Sequence, residues 1–577
     1  MSETVESRAA RWIPEAVFLA ATTAAGIAAG GRWLDPVGDP GFSWSLAYRL
    51  ARGERLYRDI YFAYGPLSPH LLALWARLFG VSSNSILLLN WIPAVAAGLL
   101  LLLVTRRLLT PFERIALAGM VLATSLFVPG AGRLVLPYYA GVVHAFVFSV
   151  AALLLVARPR LLRGGAPLAA GALAGLAFCC KQEIGVAAFA ALLIAVFAGV
   201  ERPLRWALGV TAGFGAVALA AAVFVALAAP LPVLRDRDHL WPLNPRPPAA
   251  FDALFRSVSG LSEPDWFGGI RRSAWRVLAG IGLFAVLGGL LARERSRRAW
   301  SRILWLAAAL SVWWGIERFP LAAPSSAVRL SVIASCAVTL CALASPAFEG
   351  RSLAAAIGVF AALTGMRAVF SPYVSGPYEG PAHFAAAASW ALLLLVFVPR
   401  ALWPAADSSR ARRITRSGLA AVLAVVFWWT AVGDAASLRF PWKETVQTPK
   451  GPIYVERGQA ALYREIARRV RPGESVLVFP EINAVDALFG LRSASPLLHH
   501  FPGWLDRELE SELIARFEKD PPSKIVVFER PTTEFGVDSF GRGYATAIRE
   551  WSLRHYRVAW SSPRGAILER AAEGARP

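Results

Sequence analysis

The chain is poor in charge, poor in cysteine and short of acid. Only 17% of its 577 residues are Asp, Glu, Lys or Arg, where soluble domains average about 25%. Its four cysteines, Cys179, Cys180, Cys336 and Cys341, all stand in apolar stretches. Neither a disulfide framework nor a CxxC zinc site fits that spacing, and they read as small packing residues. There is no internal repeat, and no low-complexity linker beyond Ala-rich runs. The tail has no Gly-rich phosphate loop and no Ser/His/Asp spacing. Acidic residues number 39 against 60 basic ones, a formal net charge of +21. Such an excess points to nucleic acid only if it is clustered for that purpose, so its location decides its meaning.

What the chain has is apolar length. Hydrophobic residues make up 56% of it, with a mean hydropathy of +0.48. They fall in about thirteen blocks near the roughly 20-residue length that spans a bilayer. The blocks are 14–31, 85–104, 114–128, 140–157, 167–179, 184–200, 206–229, 274–292, 303–316, 328–344, 352–370, 384–399 and 418–432. The first is read as an uncleaved anchor, since no small-residue cleavage site follows it. The loops between blocks alternate in charge. One set carries Arg106, Arg107 and Arg114; Arg158, Arg160 and Arg163; Arg202 and Arg205; the arginines of 293–302; and Arg400, Arg410, Arg412, Arg413 and Arg416. The other holds little beyond Arg133, Lys181, Arg318 and Arg329. The positive-inside rule puts the first set in the cytoplasm. The N-terminus is then inside, and an odd number of spans puts the C-terminus outside. The charge is a topology signal, and nucleic acid drops out as a partner.

Three hydrophilic segments lie outside on this topology: 32–65, 230–272 and the tail from 434 to 577. The expected fold is a polytopic α-helical membrane protein with a small extracytoplasmic α/β domain. Its units are a membrane domain over 1–433 and a tail domain over 434–577. In the tail, 458–471, 505–519 and 543–555 read as helices. Residues 475–479 and 524–528 read as buried strands, and a final strand pair is expected around 557–560 and 566–568.

The first external loop is unusual for a connector. Asp39 is followed by Pro-Gly and an amphipathic pattern through Phe42, Leu46 and Leu50. Two readings stand for Asp39: a cap on that helix, or an acid held at the helix end for chemistry. Trp44, Tyr48, Tyr57, Tyr61, Phe62 and Tyr64 suit a membrane interface, and Gly65-Pro66 opens a second apolar helix. Lys181, with Glu183 close by, stands at an otherwise apolar span end. It is a functional candidate or a snorkelling interfacial lysine.

These residues resemble a family. An Asp just after the first span, then Gly53-Glu-Arg-Leu-Tyr57-Arg58-Asp59, Gly65-Pro66-Leu-Ser-Pro69, Leu78-Phe-Gly80 and Lys181-Gln-Glu183 are similar to bacterial GT-C glycosyltransferases. That is the broad group of protein mannosyltransferases, aminoarabinose transferases and Rgt-type transferases. The likeness covers roughly residues 13–200. It implies transfer of a sugar from a polyprenyl-phosphate-linked donor to a lipid, glycan or protein acceptor at the outer membrane face. It also implies a first-loop Asp as base, which maps to Asp39. Many relatives have a second acid directly after it, where this chain has Pro40, so no metal or second-acid role carries over to that position. No cofactor is required by this reading, and a divalent metal is not indicated.

The residue types fit independently. An acceptor hydroxyl needs a carboxylate to take its proton. A lipid phosphate is already a good leaving group and calls for cations rather than an acid. Asp39 and Asp59 are thus the catalytic candidates. Tyr57, Arg58, His70, Lys181, Glu183, Arg318 and Arg329 are the substrate-binding candidates. Asp236, Asp238 and His239 are nearly consecutive, a poor geometry for a metal. A transporter or flippase of lipid-linked saccharides is the rival function, with a non-catalytic scaffold derived from the same fold as a third. Transporters are expected to carry matched repeats with broken spans, and none is found.

Overall fold

Apolar runs fold as helices in the computed structural model. It describes residues 10–34, 36–127, 134–135, 139–157, 165–199, 203–229, 324–345, 347–370, 379–403, 409–437, 442–502 and 505–571. The helices of the first half are α1 (Ile13–Ala29), α2 (Asp39–Ala51), α3 (Leu67–Phe79), α4 (Ser83–Val104), α5 (Pro111–Val121), α6 (Gly141–Val156), α7 (Ala166–Cys180), α8 (Gln182–Gly199) and α9 (Pro203–Ala228). Pro324–Leu343, Arg351–Phe370, Glu379–Leu392 and Ser409–Ser437 follow. The blocks expected at 274–292 and 303–316 lie outside the described residues, as does the loop at 230–272. The other apolar blocks fall on helices. Six helices among the described residues are long and apolar enough to cross a membrane: Ala10–Ala29, Ser83–Arg107, Gln182–Gly199, Pro203–Ala228, His383–Leu402 and Ser409–Ser437. Shorter apolar helices, α6 and α7 among them, pack between these. The protein is a polytopic helical membrane protein with a small α/β domain at its C-terminal end.

Small residues let the helices approach closely, because apolar side chains gain little by leaving lipid for one another. At Gly171 of α7 a Cβ would fall on the Val210 carbonyl of α9, and at Gly213 of α9 it would fall on the Leu168 carbonyl of α7. Arginines converge at one end of the bundle. Buried Glu15 accepts from Arg106 Nε at 3.0 Å and from Arg114 at 2.5 Å. Glu113 closes a capping box on Thr110 and pairs with Arg416. Arg106 also lies 3.6 Å over the Trp12 ring. The opposite helix ends meet the tail. Ser83 Oγ donates to the Pro452 carbonyl at 2.6 Å, and Lys443 Nζ to the Leu34 carbonyl at 3.3 Å.

The tail opens with an antiparallel hairpin, β1 (Lys443–Thr448) and β2 (Gly451–Glu456). A five-stranded sheet follows in the order β4-β3-β5-β7-β6. Its strands are β3 (Ser475–Phe479), β4 (Arg492–Ser493), β5 (Lys524–Phe528), β6 (Tyr556–Ser562) and β7 (Gly565–Arg570). β3 is parallel to β4 and β5, while β7 is antiparallel to β5 and β6. Strands covered on both faces read as continuous apolar runs, which is why SVLVF and KIVVF stand out in the sequence. Helices Arg457–Arg469, Arg507–Lys519 and Thr546–His555 cover the sheet. A core through Leu477, Phe479, Phe517, Ile525 and Trp551 joins the last two of these helices to the sheet.

The first loop departs from expectation. Gly41 to Leu50 of α2 are buried, and Trp44, Tyr57 and Phe62 are nearly inaccessible. These aromatics therefore do not form a lipid-interface belt. They are enclosed by the bundle and the tail. α3 leaves Leu74, Leu78 and Phe79 exposed.

Candidate active site

Asp39 is the first residue of α2. Gly38 precedes it with φ 72° as the N-cap, and no side chain caps the helix. The carboxyl group thus lies within the first turn and does not serve as a cap. Pro40 beside it is harmless, since a first-turn residue has no helical partner for its N–H. Burial pushes the Asp39 carboxyl up to about 6, with the Arg530 guanidinium pulling the other way. A carboxylate in that range is mostly ionised at neutral pH and still basic enough to take a proton.

The turn from Gly53 to Ile60 is built on Asp59. Its Oδ2 accepts from the Arg55 amide at 2.8 Å and lies 3.8 Å from Arg55 Nε. Arg49, almost fully buried, clamps the same turn. It binds Glu54 Oε2 through Nε at 2.9 Å and a terminal nitrogen at 2.7 Å, and reaches the Asp59 carbonyl at 3.3 Å. Tyr57 has φ 66°, a strained conformation for a side chain of that size. Its hydroxyl donates to the Tyr64 carbonyl at 2.6 Å, which fixes the loop's end. The Arg58 side chain is exposed beside it.

Tyr64 connects this loop to Lys181. The Lys181 Nζ lies 4.1 Å from the Tyr64 ring centroid and 3.3 Å from Glu183 Oε1. The lysine side chain is 4% exposed and that of Glu183 is 39% exposed. The ammonium is therefore tucked under an aromatic face and not extended to water. Gly65 permits this closure, because a Cβ there would collide with the Cys179 backbone at the end of α7. Tyr64 stacks on Tyr139 at 4.9 Å, and Tyr139 in turn meets Phe62 and Phe42. His70 stands exposed on α3, with Nδ1 donating to the Pro66 carbonyl at 2.7 Å. The structure thus links Tyr57, Lys181 and Glu183 through Tyr64, and joins Asp39 to the same aromatic cluster through Phe42, one helical turn on. Asp59 and Arg58 sit on the neighbouring turn. Arg318 lies outside the described residues, and Arg329 lies on Pro324–Leu343, with its side chain outside the description.

The sequence reading missed the tail's part in this region. The Gly38 amide donates to Asn483 Oδ1 at 2.7 Å. A Cβ at Gly41 would sit 2.9 Å from the Ala484 nitrogen and fall on the Pro36 carbonyl. Asn483 and Ala484 hold φ of 48° and 55° to make this seat. Tyr61 N donates to the Pro496 carbonyl at 3.0 Å. No local pattern marks such contacts, because the partners are more than 400 residues apart in the chain.

Asp486 is the buried acid at this junction. Its Oδ1 accepts from Ser45 Oγ of α2 at 2.5 Å and from the Ala487 amide at 2.7 Å. Burial pushes it up to about 6, against the pull of Arg49. The folded protein therefore keeps a proton there that the unfolded chain releases near pH 4. Stability from this group is present below that pH and lost as pH rises toward 6. Asp486→Asn removes the titration while keeping an acceptor for Ser45. The thermal midpoint of the variant, relative to the unaltered protein in detergent, should rise between pH 4 and 6 and then level. A difference that is flat across the window would contradict this.

Among the described residues, no group of three or more His, Cys, Asp or Glu is placed to hold a metal ion. No curated protein sequence matches the chain significantly. Solved structures that align with it include ArnT from Cupriavidus metallidurans in the apo state. That pair is 14% identical with TM-score 0.42, over 99% of this chain and 100% of that one. The same enzyme bound to undecaprenyl phosphate aligns at 14% identity and TM-score 0.40, over 97% and 99%. The Archaeoglobus fulgidus oligosaccharyltransferase in its apo form aligns at 14% and 0.45, over 97% of this chain and 75% of that one. Residues 64–228 match the family described as dolichyl-phosphate-mannose-protein mannosyltransferase. Gly65 to Pro69 and Lys181 to Glu183 lie inside the matched stretch, while Asp39 and Asp59 precede it. The match spans residues 64–228, well under half of the chain, and over that stretch it bears out the glycosyltransferase resemblance of the sequence motifs.

Proposed function

We propose that this protein is an integral-membrane glycosyltransferase. In this reading it moves a sugar from a polyprenyl-phosphate-linked donor to an acceptor hydroxyl at the outer face of the cytoplasmic membrane. The observation that carries the reading is Asp39: a carboxyl raised to about 6, in the first turn of a helix packed between bundle and tail, away from the arginine-rich end. The acceptor oxygen forms a bond to the anomeric carbon, and its proton passes to Asp39. The bond from that carbon to the phosphate oxygen breaks, and the electron pair leaves with the lipid phosphate. One displacement inverts the anomeric centre. Lys181, steadied by Glu183 and Tyr64, and exposed Arg58 are the cations assigned to the phosphate. Arg318, Arg329 and His70 belong to the same external set by topology. Asp59 and Tyr57 shape the loop on which Asp39 depends.

The orientation follows from loop charge. Arginines at the end bearing Arg106, Arg114 and Arg416 mark the cytoplasmic side, so the tail from residue 434 faces outward. Sealed membrane vesicles of known orientation test donor and side together. Right-side-out vesicles given a polyprenyl-phosphate-linked sugar and acceptor should transfer it, and a nucleotide sugar should not replace that donor. Transfer only in inverted vesicles, or only from a nucleotide sugar, would overturn the reading.

A further inference from the structure

We propose that the tail domain completes the active site, with Arg530, held by Glu481, acting as a positioning residue for the Asp39 carboxylate. This rests on Asp39 as the base and adds to it a residue that lies 491 positions away. A ladder of planar groups crosses from tail to loop. The Arg530 guanidinium lies 4.5 Å over the Phe501 ring. Phe501 stacks on His499 at 5.2 Å with planes 8° apart, and His499 on Phe42 at 4.8 Å with planes 7° apart. Phe42 is three residues after Asp39, so the two share one face of α2. The ladder therefore sets where Arg530 stands relative to that face.

The tail also forms a seat beneath the turn. Glu481 is 7% exposed and binds Arg530 Nε at 3.0 Å. Its other oxygen lies 3.7 Å from where a Gly38 Cβ would be. Asn483, two residues on, holds the Gly38 amide. The backbone leading into Asp39 and the Arg530–Glu481 pair are thus fixed to one short segment of the tail. Glycine at 38 is needed for its positive φ of 72°, and the Glu481 carboxylate packs directly beside it. The Arg530 side chain is 32% exposed and only Glu481 is buried, so the pair is held by what packs around it rather than by burial of both charges. Here the packing includes the very turn that carries the base.

The charges around Asp39 can be named from each element. Arg530 and Glu481 come from the tail. His499 and His500 are held neutral by burial, each pushed down to about 3. Asp486 and Arg49 lie further along α2 and its contact with Val485–Phe489, linked through Ser45. Lys181 and Glu183 lie beyond the aromatic cluster. Arg530 is the cation that acts on Asp39, and it pulls against burial. A neighbouring opposite charge moves a carboxyl by about 1–3 units at close range.

The test reads the acid limb of the pH–rate profile for sugar transfer, with full-length variants in membranes at equal protein level. Arg530→Gln should move the limb upward by about one unit, a loss of about tenfold at pH values below the limb with much less change above it. Arg530→Lys keeps the charge and should hold the limb near its original position. Glu481→Gln removes the competing carboxylate and should move the limb downward. Opposite shifts from the two partners are a result that loosened packing does not produce. A uniform loss of rate in Arg530→Gln with the limb in place would reduce Arg530 to a structural prop and overturn the proposal. If that variant fails to accumulate, an unmoved limb in Glu481→Gln overturns it equally. An inactive Asp39→Asn enzyme alongside unmoved limbs in both partners would sink this inference alone. A fully active Asp39→Asn enzyme would remove the base reading, and this inference with it.

Discussion

Asp39→Asn should lower sugar transfer by about 10²–10⁴-fold, the usual cost of removing a general base. The substitution keeps size and an acceptor oxygen, and Asn is at home in the first turn of a helix. α2 should therefore stay docked, held as it is through Gly38, Phe42 and Ser45. What disappears is the group that takes the acceptor's proton. Its effect lies in the transition state, so donor affinity should change far less than turnover. Asp59→Asn is the control. Asp59 binds the Arg55 amide, and Asn retains an oxygen for that contact, so the rate should fall by no more than a few-fold, with any larger loss tracking stability. Transfer from polyprenyl-phosphate-linked sugar, by membranes holding equal amounts of each variant, makes the measurement. Full activity in Asp39→Asn would end the mechanism, and loss confined to Asp59→Asn would move the base there.

Lys181→Ala should weaken donor binding by about ten- to a hundredfold. A hydrogen bond to a charged group contributes about 1.5–3 kcal/mol, and each 1.4 kcal/mol is tenfold in affinity. The variant should remain folded. Glu183, left without the ammonium, is already 39% exposed and can be hydrated, while Tyr64 keeps its stacking on Tyr139 and its carbonyl bond from Tyr57. Lys181→Arg keeps the charge but asks a planar group to fit under Tyr64, so it should recover only part of the affinity. Donor binding in nanodiscs checks this. An unchanged dissociation constant for Lys181→Ala would leave the lysine a purely structural partner of Tyr64 and Glu183.

Much of the architecture was legible because it is written locally. A bilayer demands a minimum apolar length, and that length can be counted along the chain. The same holds for loop arginines, which collect at one end around Glu15 and Glu113. The tail's strands at Ser475–Phe479 and Lys524–Phe528 were plain as short apolar runs, and its three long helices showed their period. The β1–β2 hairpin was missed although Thr448-Pro-Lys-Gly451 carries a turn signal. β1 (KETVQT) carries one apolar residue, Val446, and the apolar run of β2 is only Ile453-Tyr454-Val455, too short to announce a strand.

The first loop divides differently. By itself the sequence determined that an acid opens a helix there, that aromatics crowd the loop, and that Gly65-Pro66 starts a second helix. It also supplied the motif likeness that the family match bears out over residues 64–228. Only the tertiary structure decided what covers those groups. Trp44, Tyr57 and Phe62 looked like interface aromatics, since an amphipathic pattern names an apolar face but not whether lipid or protein will meet it. The tail meets it. Glu481, Asn483, His499 and Arg530 reach Asp39's turn from more than 400 residues away, through a backbone hydrogen bond, a stacked ladder and an ion pair. Such contacts arise from chain closure, which has no period and leaves no mark on neighbouring residues. The same reason accounts for Asp39's raised pKa: burial is a property of what packs around a carboxyl, not of the residues beside it in the chain.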